Sequence, residues 1–191
     1  MAYSNGGHGD IDPCKALMKS CNDVMMHMAA DLGATRFAKY VRSFGFGSKT
    51  GIDLPGEAEG GIFSKEKLHQ VELATSSFGQ GQTVTMIQLA SAFSAVINGG
   101  NYYQPHVVKE INSESGAVVS SNDNTLVKRV VSEDASKLIR KYLEKTVEDD
   151  EGTANPARVK GYVIGGKTGT AEKWPRNEGK YLVSFAGFTP T

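Results

Sequence analysis

The 191 residues carry 21 Lys and Arg against 21 Asp and Glu, a formal net charge of zero, so no overall field draws the chain to nucleic acid or to an anionic membrane. That length suits one compact domain with a real hydrophobic core, or a large piece of a bigger one, and argues against two complete domains. No stretch approaches the roughly 18 unbroken apolar residues of a membrane span, and Met1 to Gly9 lacks the basic and apolar regions of a signal peptide, so the chain as written is expected neither to export nor to anchor itself.

Asp12 followed by Pro13 reads as an N-cap with proline at the first helical position, opening a short helix through Ala16, Leu17 and Met18 that stops near Ser20. From Asn22, the apolar Met25, Met28, Ala29 and Leu32 recur at helical spacing until Gly33 closes the helix; Phe37, Tyr40, Val41 and Phe44 mark another that ends at Gly45. Gly45 to Gly61, rich in Gly and Pro, is an ordered loop. Thr85 and Gln88 form a capping box ahead of Leu89, Ala90, Phe93, Val96 and Ile97, and Asn98-Gly99-Gly100 ends that helix. Val107 to Ile111, Ala117 to Val119 and Leu126 to Val131 are expected as short strands. Ser132 then caps a helix whose apolar face is Ala135, Leu138, Ile139, Tyr142, Leu143 and Val147. Tyr162 to Ile164 and Tyr181 to Phe188 complete the series as strands flanking a turn around Trp174 to Gly179. Helices come first and paired strands last, without βαβ alternation, which favours an α+β fold with an antiparallel sheet.

Cys14 and Cys21 are too few for a disulfide framework and read as free thiols, Cys14 as a small buried apolar residue. His8, His27, His69 and His106 are scattered, and none pairs with another ligand at a zinc-site spacing, so no metal is expected. There is no Gly-x-Ser-x-Gly elbow and no Walker loop, which argues against α/β-hydrolase and nucleotide-hydrolysing folds. What remains is serine and lysine chemistry. Gly165-Gly166-Lys167-Thr168-Gly169-Thr170 sets a cation, a hydroxyl and a side-chain-free glycine together on an expected strand, where an extended peptide carboxylate can pair with the backbone edge. Lys-Thr-Gly occurs a second time, as Lys49-Thr50-Gly51, but in a loop; strand context selects Lys167. Ser-x-Asn also occurs twice. Ser120-Ser121-Asn122 follows a hairpin strand and reads as an exposed turn. Ser20-Cys21-Asn22 lies where one helix ends and the next begins, able to project a hydroxyl and an amide into a cleft, and is preferred.

With these motifs in order, the chain resembles the transpeptidase domain of class B, high-molecular-mass penicillin-binding proteins of the cell-division and sporulation type, over almost every residue. Gly7-His8-Gly9 and Ala16 to Asn22 resemble the family's second motif and its approach. Phe44 to Gly47, Thr50-Gly51-Ile52-Asp53-Leu54-Pro55-Gly56-Glu57 and Ser77 to Gly81 resemble its connecting segments. Gly161 to Lys173 resembles the third motif, and Ser184 to Phe188 the strand after it. The interval from Asn22 to Lys167 is long, as in this class.

The resemblance implies a serine β-lactamase/transpeptidase-like fold, an antiparallel sheet packed with a helical subdomain, and an activity: an activated serine attacks the D-Ala-D-Ala amide of a peptidoglycan stem peptide, releases D-alanine and passes the acyl group to an amine. By the same resemblance Ser20 and Lys167 form a proton relay, and Asn22 positions the substrate amide and the catalytic lysine. Thr168 with Gly169 binds the terminal carboxylate, and the N–H of Thr170 supplies half of an oxyanion hole. No cofactor is implied. The implied partners are stem peptides, β-lactams, and cell-wall synthesis or division proteins. The implied location is the cell membrane, with this domain on the extracytoplasmic side of an N-terminal anchor that lies outside the chain. A D,D-carboxypeptidase, a β-lactam sensor and a non-catalytic binding module share these motifs. The family's first motif, Ser-x-x-Lys, has no match ahead of Ser20. Its one occurrence, Ser64-Lys65-Glu66-Lys67, reads as a helix cap followed by a solvated basic turn, so the chain is expected to be a domain truncated at both ends, without its nucleophile.

Overall fold

The computed structural model describes residues 7–175 and 178–189. In chain order the helices are α1 (Pro13–Met18), α2 (Asn22–Leu32), α3 (Ala34–Ser43), α4 (Gln70–Ser77), α5 (Met86–Ile97) and α6 (Glu133–Glu148). The strands are β1 (Asn101–Tyr103), β2 (Glu110–Asn112), β3 (Val118–Ser121), β4 (Leu126–Arg129), β5 (Gly165–Glu172) and β6 (Tyr181–Phe188), with single 3-10 turns at Lys65–Lys67 and Asn155–Ala157. All the ladders are antiparallel pairs, β1 with β4, β2 with β3 and β5 with β6, in keeping with an α+β chain. The chain divides into two compact units: Met1–Leu32, Gln70–Gln80 and Leu138–Thr191 form one, and Gly33–His69 with Gly81–Lys137 the other.

The first unit begins as its sequence dictates. Asp12 caps α1 by accepting the Lys15 N–H at 2.8 Å, Pro13 opens the helix, and Cys14, Ala16 and Met18 are buried beneath it. Cys14 and Cys21 are both free and buried, and burial raises the Cys14 thiol above its ordinary pKa. Helix α4 lies against α2 and is absent from the sequence reading. Its buried residue is Ser76 rather than an apolar one, and Thr75 and Ser77 turn their hydroxyls back onto the carbonyls of Val71 and Ala74, so no hydrophobic stripe announces it.

In the second unit the capping box of α5 is present, and Gln88 does more than cap. Fully buried, it donates from Nε2 to the carbonyls of Ser48 at 2.6 Å and Glu59 at 2.9 Å, which pins both ends of the Gly- and Pro-rich loop to the helix. Two carboxylates inside that loop replace ordinary secondary structure. Glu57 receives the Thr50 N–H and hydroxyl at 2.6 Å each and the Gly51 N–H at 3.1 Å. Asp53 receives the N–H groups of Val107 and Val108 at 2.9 Å each. This corrects the expected Val107 to Ile111 strand: those amides are spent on Asp53, and pairing starts only at Glu110. The short β1, unannounced in the sequence, buries Tyr102 against Gly45, where a Cβ would lie 2.3 Å from the Tyr102 hydroxyl oxygen.

Two further expectations need correction. Along α6 the buried positions are Ser136, Leu143, Thr146 and Val147, while Ala135 is exposed and Leu138 is 50% exposed. Ser136 and Thr146 are tolerated inside because each hydroxyl donates to a backbone carbonyl, Ser136 to Val96 at 2.6 Å and Thr146 to Leu143 at 2.7 Å. Tyr162 to Ile164 is not a strand; the Ile164 N–H goes to Glu148 Oε1 at 2.9 Å, and β5 begins at Gly165. Arg176 and Asn177, within the expected turn, lie outside the described residues.

The hydrogen bonds to Asp53 and Glu57 hold both carboxyls below the usual carboxylate range. A depressed folded pKa stabilises above the unfolded value and loses that contribution as pH falls through the folded one. Thermal melts from neutral pH to below about pH 4 should therefore show a steep acid limb in the wild type and a shallower one, from a lower start, in Asp53→Asn/Glu57→Gln. Parallel limbs would refute a stabilising role for the two hydrogen-bonded carboxylates.

Candidate active site

The second Lys-Thr-Gly sits on β5, which pairs with β6 along its whole length, Gly165 opposite Phe188 through Glu172 opposite Tyr181. Among the described residues no strand pairs with the other edge of β5. Side chains alternate along a strand, so Lys167 and Gly169 leave one face and Thr168 and Thr170 the other. Gly169 has no room for a side chain: a Cβ would stand 2.6 Å from Ser184 Oγ across the ladder.

Ser20 is delivered by the end of α1. The Cys21 N–H bonds the Ala16 carbonyl at 2.9 Å and the Ser20 N–H bonds that of Leu17 at 3.2 Å, the paired closure of a Schellman motif. The residue between closure and exit must be left-handed, a place glycine usually takes, and Ser20 takes it with φ 52°, alone among the described non-glycine residues. A serine there costs about 1 kcal/mol. What the turn achieves is placement: Lys167 Nζ donates to Ser20 Oγ at 2.9 Å, across 147 positions of sequence, and to its neighbour's carbonyl on Thr168 at 3.1 Å. Asn22 follows two residues later, exposed on the first turn of α2. Burial pushes the Lys167 ammonium below the ordinary lysine pKa, since a half-buried cation loses hydration.

The structure thus brings Ser20 and Lys167 into contact and sets Thr168, Gly169 and Thr170 on the same strand. The rival motifs serve other ends. Thr50 and Gly51 of the first Lys-Thr-Gly are clamped by Glu57, and Asn122 of the second Ser-x-Asn donates to the Val108 carbonyl at 2.8 Å beside Asp53. Ser64 precedes a solvated 3-10 turn without making the side-chain cap bond expected of it, and the Glu66 carboxyl is held below the usual range by its own backbone N–H and then by the Ser64 hydroxyl. Among the described residues no group of three or more His, Cys, Asp or Glu is placed to hold a metal ion. Sequence reasoning missed Thr146 and Glu148, which hold the entry of β5: Thr146 donates to the Gly166 carbonyl and Glu148 accepts from Ile164. The only signal for Thr146 was its place three residues after Leu143 on an apolar stripe.

Residues 2–191 match the family model described as the penicillin-binding protein transpeptidase domain. The chain is 44% identical over 194 residues to stage V sporulation protein D of Bacillus subtilis, covering 98% of the chain and 29% of that protein. It is 33% identical over 188 residues to the peptidoglycan D,D-transpeptidase MrdA of Acinetobacter baumannii, covering 93% of the chain and 28% of the relative. It therefore spans under a third of the length of these relatives. Among solved structures, penicillin-binding protein 3 of Mycobacterium tuberculosis complexed with aztreonam superposes with a TM-score of 0.83 at 28% identity, over 93% of the chain and 42% of that structure.

Two outcomes follow from the pair. Ser20→Gly should raise the melting temperature, by the equivalent of about 1 kcal/mol, because glycine adopts the left-handed turn freely; no gain would contradict the strain. Because the Lys167 pKa is depressed, the unfolded state binds more protons than the native one between the folded value and the ordinary lysine value of about 10.4, so wild-type stability relative to Lys167→Met should rise with pH across that window. Paired denaturant melts measure the difference, and a flat or falling difference would exclude a buried, destabilised ammonium.

Proposed function

The chain belongs to the penicillin-binding protein transpeptidase domain family, and from that premise we propose that its parent protein is a peptidoglycan D,D-transpeptidase of the sporulation or division type, acylated by β-lactams. The observation that carries the reading is the 2.9 Å hydrogen bond from Lys167 Nζ to Ser20 Oγ. It joins a lysine of lowered proton affinity to an exposed hydroxyl, as a relay to a leaving amine requires.

In the proposed reaction a serine oxygen of the parent protein bonds to the carbonyl carbon of the penultimate D-alanine. The carbon–nitrogen bond to the terminal D-alanine breaks. The serine proton passes through the Lys167 and Ser20 pair to the departing amine; an amine of a second stem peptide then bonds to the acyl carbon as the serine ester bond breaks, and the amine proton returns to the serine oxygen. Asn22, at the head of α2, orients the stem-peptide amide. The unpaired edge of β5 receives the extended substrate, Thr168 and Gly169 meet its carboxylate next to the Lys167 charge, and the Thr170 N–H faces the developing oxyanion. The aztreonam complex of the Mycobacterium tuberculosis protein supports β-lactams as ligands of such a domain. The proposed setting is extracytoplasmic, with the parent protein anchored in the membrane; among the described residues no helix is long and apolar enough to cross one.

In the full-length parent, Lys167→Ala and Ser20→Ala should each slow acylation by a fluorescent penicillin about 10²- to 10⁴-fold, and Lys49→Ala should leave it unchanged. Stopped-flow acylation with adduct mapping by mass spectrometry checks this. Loss in Lys49→Ala with full activity in Lys167→Ala, or an adduct on Ser64 or Ser20, would overturn the assignment; a parent protein that forms no adduct at all would favour the non-catalytic module.

A further inference from the structure

We propose that Thr146 is a positioning residue for the Lys167 and Ser20 pair, an inference that rests on the transpeptidase reading of that pair. Thr146 is fully buried on the last turns of α6, and its single hydroxyl proton is shared between the carbonyls of Leu143 and Gly166. The Gly166 carbonyl belongs to the same peptide plane as the Lys167 N–H. Fixing that oxygen fixes the plane, and with it the direction in which the Lys167 side chain leaves the strand.

No side chain of β5 itself can do this work at its head. A Cβ on Gly166 would come within 2.4 Å of the Phe185 ring, and one on Gly165 within 2.5 Å of the Phe188 ring and 3.2 Å of the Glu144 nitrogen. The strand is bare there, and the helix grips it by the backbone, through Thr146 at Gly166 and Glu148 at Ile164.

The other half of the pair is tied to the same helix. In the turn after α6 the Ala154 N–H bonds the Thr146 carbonyl at 3.0 Å, and the neighbouring Thr153 N–H bonds the Met18 carbonyl at 3.0 Å, two residues before Ser20. Lys19 pairs with Glu151 of that turn at 3.1 Å. A Cβ on Gly152 would stand 2.1 Å from the Thr146 carbonyl, so only glycine lets the turn close on Thr146. Ser20, Met18, the 153–154 turn, Thr146, Gly166 and Lys167 form a closed circuit of covalent and hydrogen-bonded links, and the Lys167 to Ser20 bond closes it. Thr146 supplies a link of the circuit through a hydroxyl that can be removed without changing the shape of the side chain.

The test compares Thr146→Val, which keeps the volume and deletes the donor, with Thr146→Ser, which keeps the donor, in the full-length parent. Acylation by a fluorescent penicillin is followed over pH, with the acylation rate constant separated from the preceding non-covalent affinity. Thr146→Val is expected to slow acylation about 10- to 100-fold and to displace the pH profile, with affinity retained, because a small misplacement of the relay acts on the chemical step. Thr146→Ser is expected to restore rate and profile. Hydrogen exchange supplies a readout independent of activity: peptides covering Ile164 to Gly169 should lose protection in Thr146→Val and not in Thr146→Ser. If the wild type forms no adduct, the transpeptidase reading fails while exchange still decides the positioning claim. Unchanged kinetics and exchange in Thr146→Val overturn the proposal. So does the loss of a cooperative melt in both variants, because Thr146 then holds the whole unit rather than Lys167.

Discussion

Two adjacent glycines at the head of β5 leave room on both its faces, for helix α6 at Gly165 and for the Phe185 ring of β6 at Gly166. Because Gly165 and Gly166 carry no Cβ, the rings of Phe188 and Phe185 fold over them on opposite faces and Glu144 of α6 approaches to van der Waals distance. That approach puts Thr146 within reach of a strand carbonyl and Glu148 within reach of the amide ahead of the strand. Lys167 is the first residue of β5 that bears a side chain, and it follows directly on the carbonyl that Thr146 holds. A side chain at Gly165 would push against Glu144 of α6 and threaten the bond from Thr146 to the Gly166 carbonyl, whereas one at Gly166 would strike the Phe185 ring and the Ala186 carbonyl of β6.

The left-handed turn at Ser20 is the complementary constraint. A helix ending in glycine would be cheaper, yet a glycine has nothing to offer the lysine. Serine is about the smallest residue that both survives a positive φ and carries a hydroxyl, so the local strain is the cost of aiming it. Cys21 and Ala16, both buried, anchor the turn from below, which keeps the strained residue at the surface and its supports in the core.

Much of this was legible in the sequence. Asp12-Pro13, the capping box at Thr85 and Gln88, and the glycines after α2 and α3 announced their helices because caps are local chemistry. The strand expected around Lys167 is present as β5, and the helix boundary expected at Ser20 is present as the turn between α1 and α2. What stayed hidden depends on partners distant in sequence. Val107 and Val108 look like strand residues, and only the Asp53 carboxylate, 54 and 55 positions away, diverts their amides. The inward face of α6 was misplaced toward Ala135 and Leu138 because Ser136 and Thr146 count as polar until their acceptors are known. Helix α4 has so weak an apolar stripe that its packing on α2 had to be seen.

The unit that holds the lysine and the serine is discontinuous: its first segment ends at Leu32 and its last begins at Leu138. The Ser20 to Lys167 contact spans 147 positions, which at roughly 5–20 residues per second of synthesis is a wait of about 7 to 30 seconds between the two side chains leaving the ribosome. Through that interval α2 can already pack on α4 of the 70–80 segment, but the 138–191 segment that carries β5 has yet to emerge, whereas the second unit has both its 33–69 and 81–137 segments by residue 137. The contact between Ser20 and Lys167 is thus a late closure across a long loop, made only after the second unit has its whole sequence available.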